Sequence, residues 1–431
     1  MAGSRAGKGR AAIIPNMLRY EGSVLAIDPK GELALATATV RAEKLGQKVC
    51  VLDPFGTTKD ALKKYRTGFN PLAFMCAPAQ DAELSADTER SLVEDAVLIT
   101  DALVIPAGND PHWDESARTF IEGVILEVAT AERFKGSRDL VSVRDLIAQG
   151  ESFTDEKEEA HTGLSVLEGL MRNSAEAAVR RAAADLFDRP ERERDSVLST
   201  ARRHLRALSF PEIEASLRGE GFDLAALKTG RMTVYLCLPG RHMGTCGRWL
   251  RLFVNLALQA MEKTSGRPAA GCPVLFVLDE FATLGHMRQI EDAAGQIAGY
   301  GVKLWPVLQD LGQLKALYKD RWETFLGNAG VLQFFGNNDL TTLEWVSKRL
   351  GSTTIEQLSG AHVTPGAAGA GATGQSYAPR TTAILEPDEI ALVFGRADTQ
   401  LRQLIIRGDF APMILQRAFY DKHKAFAGLR P

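Results

Sequence analysis

Apolar residues follow two rhythms along this chain. Short unbroken runs stand at 23–28 (SVLAID), 48–53 (KVCVLD), 231–239 (RMTVYLCLP), 273–280 (PVLFVLDE), 303–309 (KLWPVLQ) and 331–336 (VLQFFG). Runs of this kind are strands buried on both faces. Between them, residues 31–46, 244–263, 287–299, 311–328 and 339–350 carry apolar positions at helical spacing. Residues 9–20 read as a short helix bent at Pro15. Strands joined by helices predict an α/β fold with a parallel sheet covered on both sides.

From 76 to 221 only the helical rhythm remains. Residues 110–134 place Phe120, Val124, Leu126 and Val128 at helical spacing, and 141–149, 162–187 and 191–208 are rich in Ala, Leu, Glu and Arg. This predicts an all-helical domain inserted into the α/β one. The expected organisation is a first part of the α/β domain at 1–75, the helical insert at 76–225, and the second part of the α/β domain at 226–431. Residues 361–379, Gly- and Ala-rich, read as a flexible loop. A short helix at 387–393 and strands near 400–407 and 413–419 close the chain.

Composition adds limits. The 431 residues are 45% hydrophobic and 24% charged, with a formal net charge of -3. Contact with nucleic acid therefore has to come from local basic patches. The helical stretch offers Arg180, Arg181, Arg189, Arg192, Arg194, Arg202, Arg203 and Arg206, interleaved with Asp185, Asp188, Glu191 and Glu193. That pattern suits backbone phosphates and equally suits ion pairs on a helix surface. Cys50, Cys76, Cys237, Cys246 and Cys272 form no CxxC pair, which speaks against zinc or a disulfide framework and for a reducing compartment. No run reaches the roughly 18 apolar residues of a membrane span, and the first residues form no signal peptide.

Four motifs carry candidate chemistry. Gly3-Ser4-Arg5-Ala6-Gly7-Lys8-Gly9-Arg10 resembles a phosphate loop: small residues let backbone N–H groups face phosphates, and a lysine reaches the β and γ oxygens. Ala2 stands where the first glycine of the motif belongs, and Gly9 where a Ser or Thr would meet magnesium. The run 274–280 (VLFVLDE) ends in Asp279-Glu280, the Walker B pattern, with Asp279 holding hydrated magnesium and Glu280 deprotonating the attacking water. Gln309 ends the next strand, either near a γ-phosphate or as a strand cap. Asp28-Pro29-Lys30-Gly31-Glu32 lies between a strand and a helix, at the carboxyl edge where ligands bind open α/β sheets, or is a turn with a helix N-terminal acid.

The opening run GSRAGKGRAAIIPNMLRYEGSVLAIDPKGE resembles the start of the TraG/TraD-type coupling-protein ATPases of type IV secretion systems, and LFVLDEFATLG, AGYGVKLWPVLQDLGQLKALY and FLGNAGVLQFFGNND resemble their later motifs. FNPLAF, DPHWDESARTFIEGVIL and TVYLCLPG match in the same order. The resemblance implies a RecA-like P-loop NTPase with a helical insert, using ATP and Mg²⁺. It implies that Lys8 is the phosphate lysine, Asp279 the magnesium carboxylate, Glu280 the catalytic base and Gln309 the γ-phosphate sensor. The family's loop ends in Gly-Lys-Gly, so Gly9 is its usage.

The resemblance further implies a homo-hexamer on the cytoplasmic face of the bacterial inner membrane. There it would pass DNA, held by its backbone with little sequence specificity, or protein substrates, or both, from a relaxase or relaxosome to the secretion channel. The family's membrane anchor and the strand before the phosphate loop are expected to be missing here, so that the chain alone would be cytoplasmic and its sheet would carry an unfilled slot. Two other readings stay open: an intracellular DNA translocase of the FtsK/HerA type, and a non-hydrolysing remnant that binds only substrate or sister subunits.

Overall fold

The protein is described by a computed structural model covering residues 1–76, 86–106, 111–154, 160–219, 221–360 and 375–429. The chain divides into two compact units, one of Ile13–Pro306 with Lys424–Pro431, the other of Met1–Ala12 with Val307–His423.

The larger unit is built on β1 (Val24–Ile27), β2 (Lys48–Leu52), β3 (Glu151–Thr154), β4 (Ala160–Gly163), β5 (Met232–Leu236), β6 (Val274–Leu278) and β7 (Val302–Pro306). Five of these form one parallel sheet in the order β2-β5-β1-β6-β7. β1, β5 and β6 are buried along their whole length. Unbroken apolar runs are what such strands require, because neither face meets water. β1 pairs directly with β6, Val24 opposite Leu275 through Ile27 opposite Leu278. The slot expected between the strands leading to Asp28 and Asp279 is therefore absent.

A buried arginine fastens this sheet to its covering helix. Arg41, on the helix Glu32–Glu43, is 0% exposed. Its Nε donates to Thr233 Oγ1 on β5 at 2.6 Å, and its two amino groups donate to the carbonyls of Met17, Tyr20 and Gly22 and to Gln47 Oε1. A buried guanidinium is tolerable when each donor is met in this way.

Between Pro71 and Thr229 helices dominate, but the segment is not all-helical: β3 and β4 pair as a small antiparallel hairpin. The predicted helix 162–187 is two, Leu164–Arg172 and Ala177–Phe187, with Arg180 donating to the carbonyls of Ser174 and Ala175 at the break. The helix His112–Thr130 packs on both Ala177–Phe187 and Glu191–Leu205. Close approach needs Gly123, where an added Cβ would lie 2.4 Å from that of Ala182. Beside this contact a cavity of about 430 Å³ is lined by His112, Glu115, Glu122, Leu126, Arg181 and Asp185, among others. No described helix is long and apolar enough to cross a membrane.

The smaller unit holds β8 (Leu332–Phe334), β9 (Ser352–Gly360), β10 (Gln375–Ala383), β11 (Arg402–Arg407) and β12 (Phe410–Gln416). β8, β11 and β12 form an antiparallel sheet, and its core gathers Phe334, Leu343, Val346, Ile390, Phe394, Leu404 and Ile406. β9 and β10 form a hairpin with Gln375 opposite Gly360. Residues 375–379 of the predicted flexible loop are thus strand; residues 361–374 lie outside the described residues. Ala2 donates its N–H to the carbonyl of Leu308 at 2.9 Å, bridges Phe335 in parallel, and is followed by Gly3, which donates to Phe335 O at 3.3 Å. The slot expected beside Gln309 is thus filled by residues 1–3.

Burial pushes the Glu122 carboxyl up to about 7, with Glu115 adding to the rise and Arg118 opposing it. A raised carboxyl stabilises the fold below its ordinary range and loses that contribution as pH climbs through 7. Glu122→Gln, which keeps the neutral form at all pH, should melt a few degrees above wild type at about pH 8.5 and match it at about pH 4. Thermal unfolding at both pH values checks this; equal melting at the higher pH would reject it.

Candidate functional site

The phosphate-loop candidates lie in the smaller unit. After the strand-paired Ala2, the chain turns through Arg5 (φ 59°) and Gly7 (φ 85°), and Ala6 donates back to Gly3 O at 3.1 Å. Left-handed residues at alternate positions bend the backbone into a concave nest whose N–H groups favour anions. Helix begins at once, as a π turn at Gly9–Ile13, with Ala11 N donating to Gly7 O at 2.8 Å. Pro15 carries no N–H for the following turn, which suits this local widening. Gly3, Ser4, Arg5, Ala6, Gly7, Lys8, Gly9 and Arg10 thus form one loop opening one helix, with Lys8 half-buried within it.

Residues far along the chain hold that loop in shape. A Cβ on Gly3 would lie 1.9 Å from Gly336 O, and one on Gly336 (φ 66°) 2.5 Å from the Ala6 Cβ. The glycine that sterics demand is therefore Gly3, while Ala2 serves as strand. Arg396 donates to Ser4 O at 2.9 Å and Arg417 to Ala6 O at 3.1 Å. Arg10 pairs with Asp421 and lies over the Phe419 ring. None of these partners figures among the predicted site residues, because backbone carbonyls leave no mark in a sequence.

Gln309 is placed three residues beyond β7, which ends at Pro306, rather than within the strand. Its N–H donates to Gln313 Oε1 at 2.9 Å and its carbonyl accepts from Asn337 Nδ2 at 2.8 Å. Asp310 caps the helix Leu311–Tyr318. Asn337 is buried, and its Oδ1 meets no hydrogen-bond donor. Sitting next to Gly336, it is a polar group that the sequence did not single out.

The carboxylates lie in the larger unit, along the carboxyl edge of its sheet. Asp53, Asp28 and Asp279 directly follow β2, β1 and β6. Asp53 accepts from Thr57 N, Thr58 N and Thr58 Oγ1 at 2.7–2.8 Å. Asp28 is 1% exposed and accepts from Ala34 N, in the first turn of the helix Glu32–Glu43, at 2.8 Å. Burial, together with the neighbouring charges of Asp279 and Glu32, raises its carboxyl to about 7 against the opposing backbone hydrogen bonds. Glu280 follows at φ 53°, ψ 44°, a left-handed position that a non-glycine residue holds only under strain. Its N–H donates to Asp279 Oδ1 at 3.0 Å, and its carbonyl accepts from both N and Oγ1 of Thr283 at 2.8 Å.

These donors suit a hard cation. Magnesium takes one or two carboxylates and keeps several waters, and a cation beside Asp279 would offset the smaller part of the Asp28 rise, which Asp279 and Glu32 add to that of burial. No group of three or more His, Cys, Asp or Glu side chains that could hold a metal occurs among the described residues. Of the arginine cluster, Arg189 pairs with Asp185, Arg202 donates to Ile147 O and Arg203 pairs with the buried Asp114. Arg189 and Arg203 thus follow the ion-pairing one of the two readings, while Arg202 meets a backbone carbonyl.

Residues 1–428 match the family described as type IV secretory system conjugative DNA transfer. Conjugal transfer protein TraG of Escherichia coli is 28% identical over 410 residues, 90% of this chain and 60% of TraG. Protein VirD4 of Agrobacterium fabrum is 27% identical over 371 residues, 83% of this chain and 50% of VirD4. The chain thus spans 50–60% of the length of these relatives. Among solved structures, the bacterial conjugative coupling protein TrwB in its unbound form aligns with a TM-score of 0.67 at 15% identity, over 97% of this chain and 83% of that one. TrwB in complex with ADP and Mg²⁺ aligns with a TM-score of 0.66 at 15% identity, over 97% and 84%. The fold is the RecA-like one of that protein.

Gly336→Ala should strain both its own left-handed backbone and the loop that Ala6 belongs to. The expected loss is at least about 2 kcal/mol of stability. Urea unfolding followed by tryptophan fluorescence measures it; a loss near zero would show that the loop is not pinned here.

Proposed function

The chain belongs to the type IV secretory conjugative DNA transfer family, and we propose that it is the motor portion of a coupling protein, hydrolysing ATP to drive DNA or protein substrates toward a secretion channel. The observation that carries this reading is the presence, in one chain, of two sequence-local devices. One is a nested loop at 3–9 opening a helix. The other is a buried strand ending in Asp279 and a left-handed Glu280. The structure of TrwB in complex with ADP and Mg²⁺ supports the same ligands here.

In this reading the N–H groups of the loop receive the phosphates and Lys8 offsets charge on the β and γ oxygens. Asp279 would hold Mg²⁺, which when bound neutralises phosphate charge and orients the oxygens. Glu280 accepts the proton of the attacking water. Gln309 senses the γ-phosphate, its backbone fixed by Gln313 and Asn337. A loop whose N-terminal end is paired to Leu308 and Phe335 starts ordered, which favours hydrolysis over a remnant that only binds.

DNA, a relaxase, channel components, a hexameric ring and an inner-membrane location enter as part of the same proposal, from the family alone.

Glu280→Gln should lower steady-state ATP turnover by about 10²–10⁴-fold while ATP binding persists. Lys8→Ala should lose binding itself. Phosphate release and binding of a fluorescent ATP analogue separate the two. Unchanged turnover in the Glu280 variant would reject its role as the base.

A further inference from the structure

One buried cation of the larger unit touches both the carboxylate turn and the helical segment. Arg251 lies midway along the helix Gly240–Lys263 and is 7% exposed. Its Nη1 donates to Leu284 O and to His286 O, each at 2.7 Å. Its Nε donates to Ala102 O at 3.3 Å and its Nη2 to Asp101 O at 3.5 Å. The first pair of carbonyls belongs to the turn that follows Glu280. The second belongs to the last turn of the helix Ala86–Leu103.

The path from the guanidinium to Glu280 is short and stiff. The 3₁₀ turn Phe281–Leu284 buries both of its end side chains, and Thr283 holds the Glu280 carbonyl through N and Oγ1. Gly285 ends this turn at φ 70°, a backbone conformation that favours glycine, where an added Cβ would lie at ordinary contact distance from Arg251 Nη1. Glu280 keeps its strained left-handed backbone only while its surroundings over-determine it. Arg251 supplies part of that determination.

A plain helix cap would satisfy carbonyls at one helix end. This side chain divides its donors between two elements, and the planar fork of arginine can do so where a lysine ammonium cannot. We propose that Arg251 is a positioning residue for Glu280, a strut that ties the orientation of the carboxylate turn to the C-terminal end of the helix Ala86–Leu103. The proposal rests on the ATPase reading above and adds to it a mechanical route between the helical segment and the general base.

The test uses the full chain with Arg251→Met, which keeps apolar bulk and removes the donors, and Arg251→Lys, which keeps the charge. Arg251→Met is expected to lower kcat for ATP by roughly 10–100-fold with little change in KM, as misplacement of a catalytic group does. Arg251→Lys should recover part of the loss. Combining Arg251→Met with Glu280→Gln should lower the residual rate no further than Glu280→Gln alone, since both act through one carboxylate. Hydrogen exchange should quicken together at amides 281–287 and 96–104. Unchanged kcat, a further fall in the double variant, or faster exchange on one side alone would overturn the strut. If Arg251→Met fails to fold, Arg251→Lys decides: full wild-type kcat and exchange overturn the proposal. Wild-type protein that binds ATP without hydrolysing it would overturn the ATPase reading instead, and exchange left unchanged at either contact would then overturn the strut by itself.

Discussion

Two carboxylates end adjacent strands of one parallel sheet, and the chemistry of the larger unit depends on that constraint. Because β1 pairs in register with β6, Asp28 and Asp279 are forced side by side. Across the sheet the residues after the strands read Asp53, Cys237, Asp28 and Asp279 in spatial order. Burial and the flanking Asp28 and Asp53 push the Cys237 thiol well up. Such an edge repels a bare phosphate. A nucleotide approaching it would need a cation alongside, and the Asp28 carboxyl, lifted chiefly by burial, is raised further by Asp279 and Glu32. In the proposed ATPase reading, a preference for a magnesium–nucleotide complex would follow from strand order as much as from any single motif.

In the smaller unit the loop at 3–9 has two of its carbonyls occupied by side chains from far along the chain. Arg396 and Arg417 take Ser4 O and Ala6 O, and Gly336 makes room for the turn. Arg417 is itself buried, and burial lowers its pKa. Residues separated by some 330 to 411 positions thus set the shape of a loop whose sequence looks self-sufficient.

The buried strands were legible because a strand covered on both faces has to be apolar throughout, as at 274–278 and 24–27. The Asp-Glu pair could be read from the same run, since a charge directly after such a strand has only the sheet edge to occupy. Strand order could not be read. The apolar pattern says that β1 and β6 are buried, not that they are neighbours, and the misplaced slot came from that gap. Val307 and Leu308 prolong the apolar run as far as Gln309, yet Pro306 lacks the N–H that would extend the ladder. β9 and β10 escaped because Thr, Ser and Gln at exposed positions carry no period of burial.

Arg251 belongs with a second arginine one turn earlier on the same helix. Arg248 donates its Nε to Leu103 O at 2.7 Å, so both side chains reach the same end of the helix Ala86–Leu103. Arg248 also faces His204 Nδ1 at 3.4 Å, while His204 Nε2 meets Asp114 Oδ1 at 2.7 Å. A guanidinium can only donate, so Nδ1 must be the acceptor and Nε2 must carry the proton. Burial, with Arg248 adding to it, lowers the pKa of this histidine and keeps the ring in that neutral tautomer. One face of the helix Gly240–Lys263 therefore grips the end of Ala86–Leu103 twice. Arg248 continues through His204 to Asp114 on the helix His112–Thr130, and Arg251 continues to the turn after Glu280. Displacing the helix end would strain both sets of hydrogen bonds, because neither arginine can follow it without releasing its other partners.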